Sequence, residues 1–453
     1  MNAIITFLQK KGYQTVETDF YSKIDDWKDW YECNIDEFHK SSFYNGVCEV
    51  ENNILQLGMA KTVCEDWANL LLNEKVDFKI DDENCDITVK EILKSNNFRK
   101  KANQLIETSF AFGTGAFVEF IKDGKPAIDY ITADKIYPLS WQNGIITECA
   151  FGSVGVVDKE RIYYLQIHTK PNGAYVVENY RFKIKGDEII LVDIKDMVDK
   201  WETHSTNPMF QIITPNIVNN YDINSPMGIS VYGNAIDVLK EIDMAFDSLN
   251  NDFITGRRMV FLKNQLFGFD DKGNKKDVIS RKENIIRWIG DKEDNGELVK
   301  DYSPALRADD HIKAIQFQLN LLSEKCGMGT NRYEFTLGGV KTATEVISED
   351  SDLYANLKKH ELSLETPLID LVKAILFLNK CTDCNVSVNF DDSIIEDTDS
   401  IKKQALIEYN AGLIDKVEYF VLTKKMTVVQ AKKYVDEIQK RLPKPQEEPP
   451  IEE

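Results

Sequence analysis

Apolar residues along this chain change their period several times, and each change marks a different kind of element. Between Leu57 and Glu74, Val63, Trp67, Leu70 and Leu71 recur at helical spacing, and Val89 to Leu105 repeats the pattern less cleanly. The first hundred residues therefore read as helical. The run Phe110-Ala-Phe-Gly-Thr-Gly115 breaks the pattern and leads into Ala116-Phe-Val-Glu-Phe-Ile121. From Ala116 to about Val192, short runs of Val, Ile, Tyr and Phe alternate with the turn pairs Asp123-Gly124, Asn143-Gly144 and Asn172-Gly173. An antiparallel β region is predicted, its clearest hairpin running from Tyr163–Thr169 to Ala174–Phe182.

Two helices with narrow apolar stripes follow. Within 233–257, Leu239, Ile242, Phe246, Leu249 and Phe253 recur at intervals of 3, 4, 3 and 4, and within 309–326 Ile312, Ile315, Leu319, Leu322 and Cys326 do the same. Such a stripe fits a helix packed lengthwise on its neighbours, and it equally fits two ordinary helices of a bundle. Between them lies a turn-rich insert in which Val260-Phe-Leu262 and Ile285-Ile-Arg-Trp-Ile289 read as strands. After Cys326, glycines at 327, 329, 338 and 339 mark a loop leading to Thr342-Ala-Thr-Glu345, a capping box in which Thr and Glu each satisfy a free amide. The helix behind it keeps Val346, Leu353, Leu357, Leu364, Leu368, Leu371, Ile375 and Leu378 on one face, and Pro367 is expected to kink it. A strand over Val386–Phe390, an acidic turn, and helices at about 401–411, 416–424 and 427–441 close the ordered part, with Gly412 ending the first. Residues 442–453, rich in Pro and Glu, read as an extended or disordered tail.

Composition narrows the function classes. The 453 residues carry 75 acidic and 55 basic side chains, a net charge of −20, which argues against gripping DNA through a global field but not against a surface that DNA slides past. With 43% hydrophobic residues the bulk of the chain can build cores. The apolar run near Leu371–Leu378 is broken by Lys373 and is too short to span a membrane, and the first ten residues do not read as a secretion signal. The 8 cysteines are irregularly spaced and read as reduced thiols; the pair Cys381-Thr-Asp-Cys384 lacks the further ligands of a zinc site.

Candidate chemistry thins out on inspection. Asp391, Asp392, Glu396, Asp397 and Asp399 have neither the alternation nor the glycine of a calcium loop and read as a solvated turn with helix-capping acids. The 5 histidines are scattered, and His360-Glu361 is not followed by the second histidine of a zinc-protease helix. Gly339-Val-Lys341-Thr342 lacks the glycine-lysine pair of a phosphate loop. No catalytic set, metal site or cofactor site emerges.

Three collinear blocks carry a resemblance. They are Ser225-Pro-Met-Gly-Ile-Ser-Val-Tyr-Gly-Asn-Ala-Ile-Asp-Val-Leu-Lys-Glu-Ile-Asp243 with Asp247, then Lys341-Thr-Ala-Thr-Glu-Val-Ile-Ser-Glu349, then Phe390-Asp-Asp-Ser-Ile-Ile395 with Ala411-Gly-Leu-Ile-Asp-Lys-Val-Glu-Tyr419. Together they resemble portal proteins of tailed bacteriophages, in the Gram-positive phage portal family, over roughly residues 30–440. The resemblance implies a multi-domain α+β portal fold, with a helical stem, an inserted small α/β clip, a wing of helices and β strands, and an α-helical crown. Mapped here, the wing is 1–225, the first stem helix 226–258, the clip 259–308, the second stem helix 309–326, the tunnel loop 327–341, the long kinked wing helix 342–385, the crown 386–441 and the tail 442–453.

That resemblance further implies a non-enzymatic ring, usually of twelve copies, at one capsid vertex, assembled in the host cytoplasm. Through it double-stranded DNA is packaged and ejected. The partners implied are the terminase large subunit, major capsid and scaffolding proteins and head-tail adaptor proteins, with no cofactor and no membrane. The loop residues Arg332, Gly338, Gly339 and Lys341 are expected to face DNA, the two stripes to pack the stem, Phe261, Ile285, Arg287 and Trp288 to line the clip's docking surface, and Thr342 with Glu345 to cap the long helix. Another ring-forming head-tail connector or capsid protein, or a metal-dependent nuclease using the carboxylates of 391–399, are the competing readings.

Overall fold

The amino-terminal helices form where the sequence supplies one apolar side chain per turn. The computed structural model describes residues 2–44, 49–73, 76–157, 159–185, 188–192, 198–256, 259–263, 285–288, 299–334, 343–381, 384–390, 398–424, 426, 431–435 and 438. They fall into two units, Met1–Phe390 and Asp391–Glu453. The first begins with α1 (Asn2–Lys10), α2 (Thr18–Glu32) and α3 (Asp36–His39), a hairpin of β1 (Lys40–Tyr44) and β2 (Glu49–Asn53), then α4 (Met59–Leu71), β3 (Asp77–Ile80), α5 (Glu83–Ser95) and α6 (Phe98–Phe112). On α4 the predicted Val63, Trp67, Leu70 and Leu71 are all buried, and α2 buries Phe20, Ile24, Trp27 and Trp30 along one face.

Two features depart from the helical reading. The hairpin strands, Lys40-Ser-Ser-Phe-Tyr44 and Glu49-Val-Glu-Asn-Asn53, are mostly polar and carry no alternation that would announce them. The periodic stretch 89–105 is not one helix, because Asn97 adopts a left-handed φ of 50° between α5 and α6. Asn96 fixes this break. Its amide donates to the carbonyls of Ile92 and Pro126 at 2.9 and 3.2 Å, and its side-chain oxygen accepts from the Ile128 amide at 3.1 Å.

The β region is antiparallel, as predicted. It comprises β4 (Gly115–Lys122), β5 (Lys125–Thr132), β6 (Ile136–Gln142), β7 (Ile145–Val157), β8 (Glu160–Thr169), β9 (Val176–Lys185), β10 (Glu188–Leu191), β11 (Lys200–Glu202) and β12 (Phe210–Ile213). One sheet has the order β10-β9-β8-β7-β6 with β11 also on β9, and a second has the order β12-β4-β5. The β8–β9 hairpin pairs Thr169 with Val176 and Tyr163 with Phe182. Asp123-Gly124 and Asn143-Gly144 both take positive φ at both positions, the geometry that matches strand twist in a two-residue hairpin turn.

The break after α6 has a packing reason. Gly113 ends the helix at φ +84°, and a Cβ there would overlap the carbonyl of Gly228. A Cβ on Gly228 would in turn meet the carbonyl of Gly113 and the Thr214 side chain. Thr114 Oγ1 accepts from the Gly228 amide at 3.0 Å, and Val231 N–H donates to the Phe110 carbonyl at 2.9 Å. Two backbones therefore cross without side chains between them.

The remaining elements of this unit are α7 (Ile236–Thr255), β13 (Met259–Lys263), β14 (Ile285–Trp288), β15 (Val299–Tyr302), α8 (Ala308–Lys325), α9 (Ala343–Leu378) and β16 (Val386–Asn389). The two strands predicted in the insert exist as β13 and β14, paired in parallel, with β15 antiparallel on the other side of β13. α9 continues as one helix through Pro367, and Leu353, Leu357, Leu364, Leu368, Leu371, Ile375 and Leu378 are buried as its stripe predicts. His360 on the same helix lies against Trp67 and Phe110, with ring centroids 4.6 and 5.0 Å away, and accepts from the Asn216 amide at 3.0 Å. Burial lowers its pKa to about 3, so it is a neutral core residue. β16 pairs antiparallel with β3 and so belongs to the first unit.

One buried charge-bearing group makes stability depend on pH. Glu119 of β4 is enclosed, and burial, reinforced by Asp370, raises its carboxyl well above the ordinary range, with its own backbone amide and Gln211 opposing. Its folded pKa exceeds the unfolded one, so its contribution is full below the unfolded value and lost as pH rises through the folded value. Glu119→Gln is therefore expected to gain Tm relative to the parent as pH is raised from about 5 to 9. Thermal scans across that range check this, and a constant difference would contradict it.

In the second unit, α10 (Thr398–Asn410) and α11 (Lys416–Lys424) match the predicted helices. Gly412 closes the first at φ +70°, and Asp415 with Glu418 forms reciprocal amide contacts at 2.7 and 3.0 Å that cap the second. The third helix expected there is represented by residues 431–435, while most of the acidic turn and the tail lie outside the described residues.

Candidate assembly site

α7 and α8 run antiparallel side by side, and hydrogen bonds fix both ends of the pair. At one end Asp252 of α7 accepts the Arg307 amide at 2.9 Å, with the Arg307 guanidinium at 3.2 Å and His311 at 3.7 Å. Arg307 precedes α8 and makes no side-chain cap of its own, so Asp252 supplies one from the neighbouring helix. The Arg307 amide, above all, holds the Asp252 carboxyl below its ordinary pKa. Gly256 ends α7 where a Cβ would press on Leu306 and the Asp252 carbonyl. At the other end Lys325 donates to the Asn234 carbonyl at 3.5 Å.

The base of α7 is clamped to the extended segment between β2 and α4. Asp243 accepts from the Leu57 amide at 2.8 Å and meets His39 Nε2 at 2.9 Å, while His39 Nδ1 donates to the Ile35 carbonyl at 3.0 Å. Burial raises the Asp243 pKa, opposed by the Leu57 amide and His39. One turn on, Asp247 accepts from Leu55 at 3.2 Å and from Asn251 at 2.8 Å. Spacing alone could have flagged these residues: Asp243, Asp247 and Asn251 lie four apart on one helix face.

The two stripes divide into an inner and an outer part. Leu239, Ile242, Ile315, Leu319 and Leu322 are buried within the chain, so they pack this helix pair onto itself and its base. Phe246 and Leu249 are half-buried. Phe253 and Ile312 are exposed, and so are residues off the predicted stripes: Met244, Ile254 and Phe317, the last at 66%. Five large apolar side chains of the helix pair, Met244, Phe253, Ile254, Ile312 and Phe317, are thus open to solvent.

The segment after α8 folds back along it. Gln316 donates to the Tyr333 carbonyl at 3.2 Å, Asn320 to Asn331 at 3.1 Å, and Ser323 to the Gly329 carbonyl. Trp67 and Asn356 donate to the carbonyls of Cys326 and Gly327 at 3.1 and 3.0 Å. Arg332 lies 3.4 Å from Asp66 of α4 and stays partly exposed. Gly338, Gly339, Lys341 and Thr342 lie outside the described residues; Glu345 is in the first turn of α9, its side chain likewise outside them. Phe261, Ile285, Arg287 and Trp288 sit on β13 and β14, where only their backbones are described. Asp391, Asp392, Glu396 and Asp397 also fall outside, and among the described residues no group of three side chains is placed to hold a metal ion. No described helix is long and apolar enough to cross a membrane.

Comparison with known proteins gives a family match over most of the chain. A family model described as phage portal protein, SPP1 Gp6-like, matches residues 11–442. No match was found among curated protein sequences. Among solved structures, a chain from the virion of a native gene transfer agent particle aligns at 10% identity over 81% of this chain and 89% of its own length, with a TM-score of 0.40. A chain from the neck of a native gene transfer agent particle, computed with C12 symmetry, aligns at 10% identity over the same shares, with a TM-score of 0.39.

Proposed function

The chain belongs to the SPP1 Gp6-like phage portal protein family, and on that premise we propose that it acts as the subunit of a ring of twelve through which double-stranded DNA enters and leaves the capsid. As a portal protein it is a structural, non-enzymatic component of the virion. In this reading α7 and α8 are the stem, and residues 259–308 form the clip. The clip seats the terminase large subunit during packaging and head-tail adaptor proteins afterwards. Major capsid and scaffolding proteins surround the ring.

The observation that carries the reading is the set of apolar side chains left exposed on α7 and α8, with Phe317 the most open of them. In a ring each subunit presents one flank of this pair to a neighbour and receives the other, so a heterologous contact closes without leaving a free face. Native mass measurement tests it: with a subunit of 52.0 kDa, a species of about 620 kDa is expected. A monomer or dimer at every salt concentration tried would sink the proposal.

DNA contact is assigned to the segment 327–341. The negative charge of the chain disfavours tight binding, and few cations remain close to a passing duplex: Arg332 and Lys341. The half-exposed Arg332–Asp66 pair contributes at most about 1 kcal/mol to stability. The double variant Arg332→Ala, Lys341→Ala is therefore expected to form rings of normal stability and to package or retain less DNA. Wild-type packaging would remove this segment from the channel while leaving the ring untouched.

A further inference from the structure

Three cysteines that are distant in sequence are brought to one place by three separate elements. Cys85 lies in the first turn of α5, where its amide donates to the helix-capping carboxylate of Asp82 at 2.8 Å. Cys381 follows the end of α9 and is fixed by the hydrogen bond its backbone amide donates to the Leu376 carbonyl at 2.9 Å, with Lys380 in the left-handed conformation at φ 60°. Cys384 is fixed by the β16–β3 register: Val386 pairs with Ile80, and Asn385 contacts Asp81 through its side chain at 2.7 Å and its carbonyl at 3.3 Å. That register runs Cys384 alongside Asp82. Cys381, Cys384 and Asp82 accordingly lie near enough to the Cys85 thiol that each raises its pKa, Cys381 most. All three thiols are free; Cys85 is buried, and Cys381 and Cys384 are partly open to solvent.

We propose that Cys85 and Cys381 form a disulfide when the assembled protein leaves the reducing cytoplasm, joining the start of α5 to the end of α9. The proposal rests on the virion reading above, because a particle component made in the reducing cytoplasm passes to an oxidising medium when the particle is released. The oxidant is a small-molecule disulfide of the glutathione type. The thiolate of Cys381 attacks one of its sulfurs and releases one small thiolate. Cys85 then loses its proton and attacks the Cys381 sulfur, releasing the second. Two protein thiols are oxidised to one disulfide, and one small disulfide is reduced to two thiols. Contact with Cys381, burial, and the nearby Cys384 and Asp82 hold the Cys85 thiol protonated, so the second step is slow at neutral pH and faster at alkaline pH.

The bond would close a loop of nearly 300 residues, the condition under which a cross-link constrains the unfolded chain most. The test incubates the reduced full-length protein with oxidised glutathione, alkylates the remaining thiols and maps peptides by mass spectrometry without reduction. Peptides joined through Cys85 and Cys381 are expected, with a rise in Tm on the order of 5 °C that dithiothreitol reverses. Cys85→Ser and the more exposed Cys381→Ser should each abolish both effects, and Cys384→Ser should retain them. A bond between Cys381 and Cys384 alone, no bond at all, or stoichiometric zinc binding that shields the three thiols would overturn the proposal. Native mass of the reduced protein reads ring formation separately, so failure of the disulfide and failure of the ring are distinguishable.

Discussion

Replacing Phe317 by aspartate is expected to leave a folded chain that no longer forms a ring. Phe317 is 66% exposed on α8, so in the isolated subunit the new carboxylate stays in water and costs little. In an assembled ring the same carboxylate would be enclosed against a neighbour's helix without a partner, a penalty of several kcal/mol at every interface around the ring. The contrasting substitution is Leu319→Asp, two residues away and 0% exposed. It places a charge inside the subunit and is expected to cost more than about 4 kcal/mol, so the chain should lose its fold as well as its ring. Circular dichroism and native mass measured on both variants separate the outcomes. Rings of wild-type mass from Phe317→Asp would mean that this face of α8 is not a subunit contact.

The second large effect is expected at the glycine crossing. Gly113→Ala adds a Cβ at a left-handed φ and drives it into the Gly228 carbonyl, and Gly228→Ala drives one into the Gly113 carbonyl and Thr214. Backbone atoms on both sides have nowhere to go, so each change should destabilise the first unit by about 3 kcal/mol or more. Gly144→Ala is the control: it has a similar φ of +77°, but nothing lies within 4 Å of the new methyl. It should cost only about 1 kcal/mol. Denaturant midpoints for the three variants test the ordering, and equal losses at Gly113 and Gly144 would show that φ alone, not the crossing, sets the cost.

How much of this was legible in the sequence follows from which interactions are local. The buried faces of α4 and α9 and the β8–β9 hairpin could be read because their signals, helical spacing and turn pairs, lie within the segment itself. The β1–β2 hairpin could not, since its polar strands depend on partners rather than on alternation. The Asn97 break was hidden because the residues that fix it, Pro126 and Ile128, lie on β5. At the candidate site the stripes located both helices correctly, yet the period does not distinguish a side chain packed inside the subunit from one left for a neighbour. Leu319 and Ile312 share one stripe, and the structure buries the first and exposes the second. The four-residue spacing of Asp243, Asp247 and Asn251 marks a polar face on α7 but not what it anchors, because the partners of Asp243, Asp247 and Asp252, namely Leu57, Leu55 and Arg307, come from other elements.

The pairing of β16 with β3 has a consequence for how the chain is made. β3 ends at Ile80 and its partner begins at Val386, so about 300 residues must be synthesised before the strand is paired. At about 5–20 residues per second, β3 waits on the order of 15–60 s beside the ribosome. α8 is complete at Lys325, about 60 residues before Val386, so for about the last 3–12 s of that interval both α7 and α8 are made while β3 is still unpaired. Each nascent chain therefore displays its apolar helix pair before its own body can close. In the ring proposed above, the surface that a neighbour would meet is therefore made before the subunit completes its own fold.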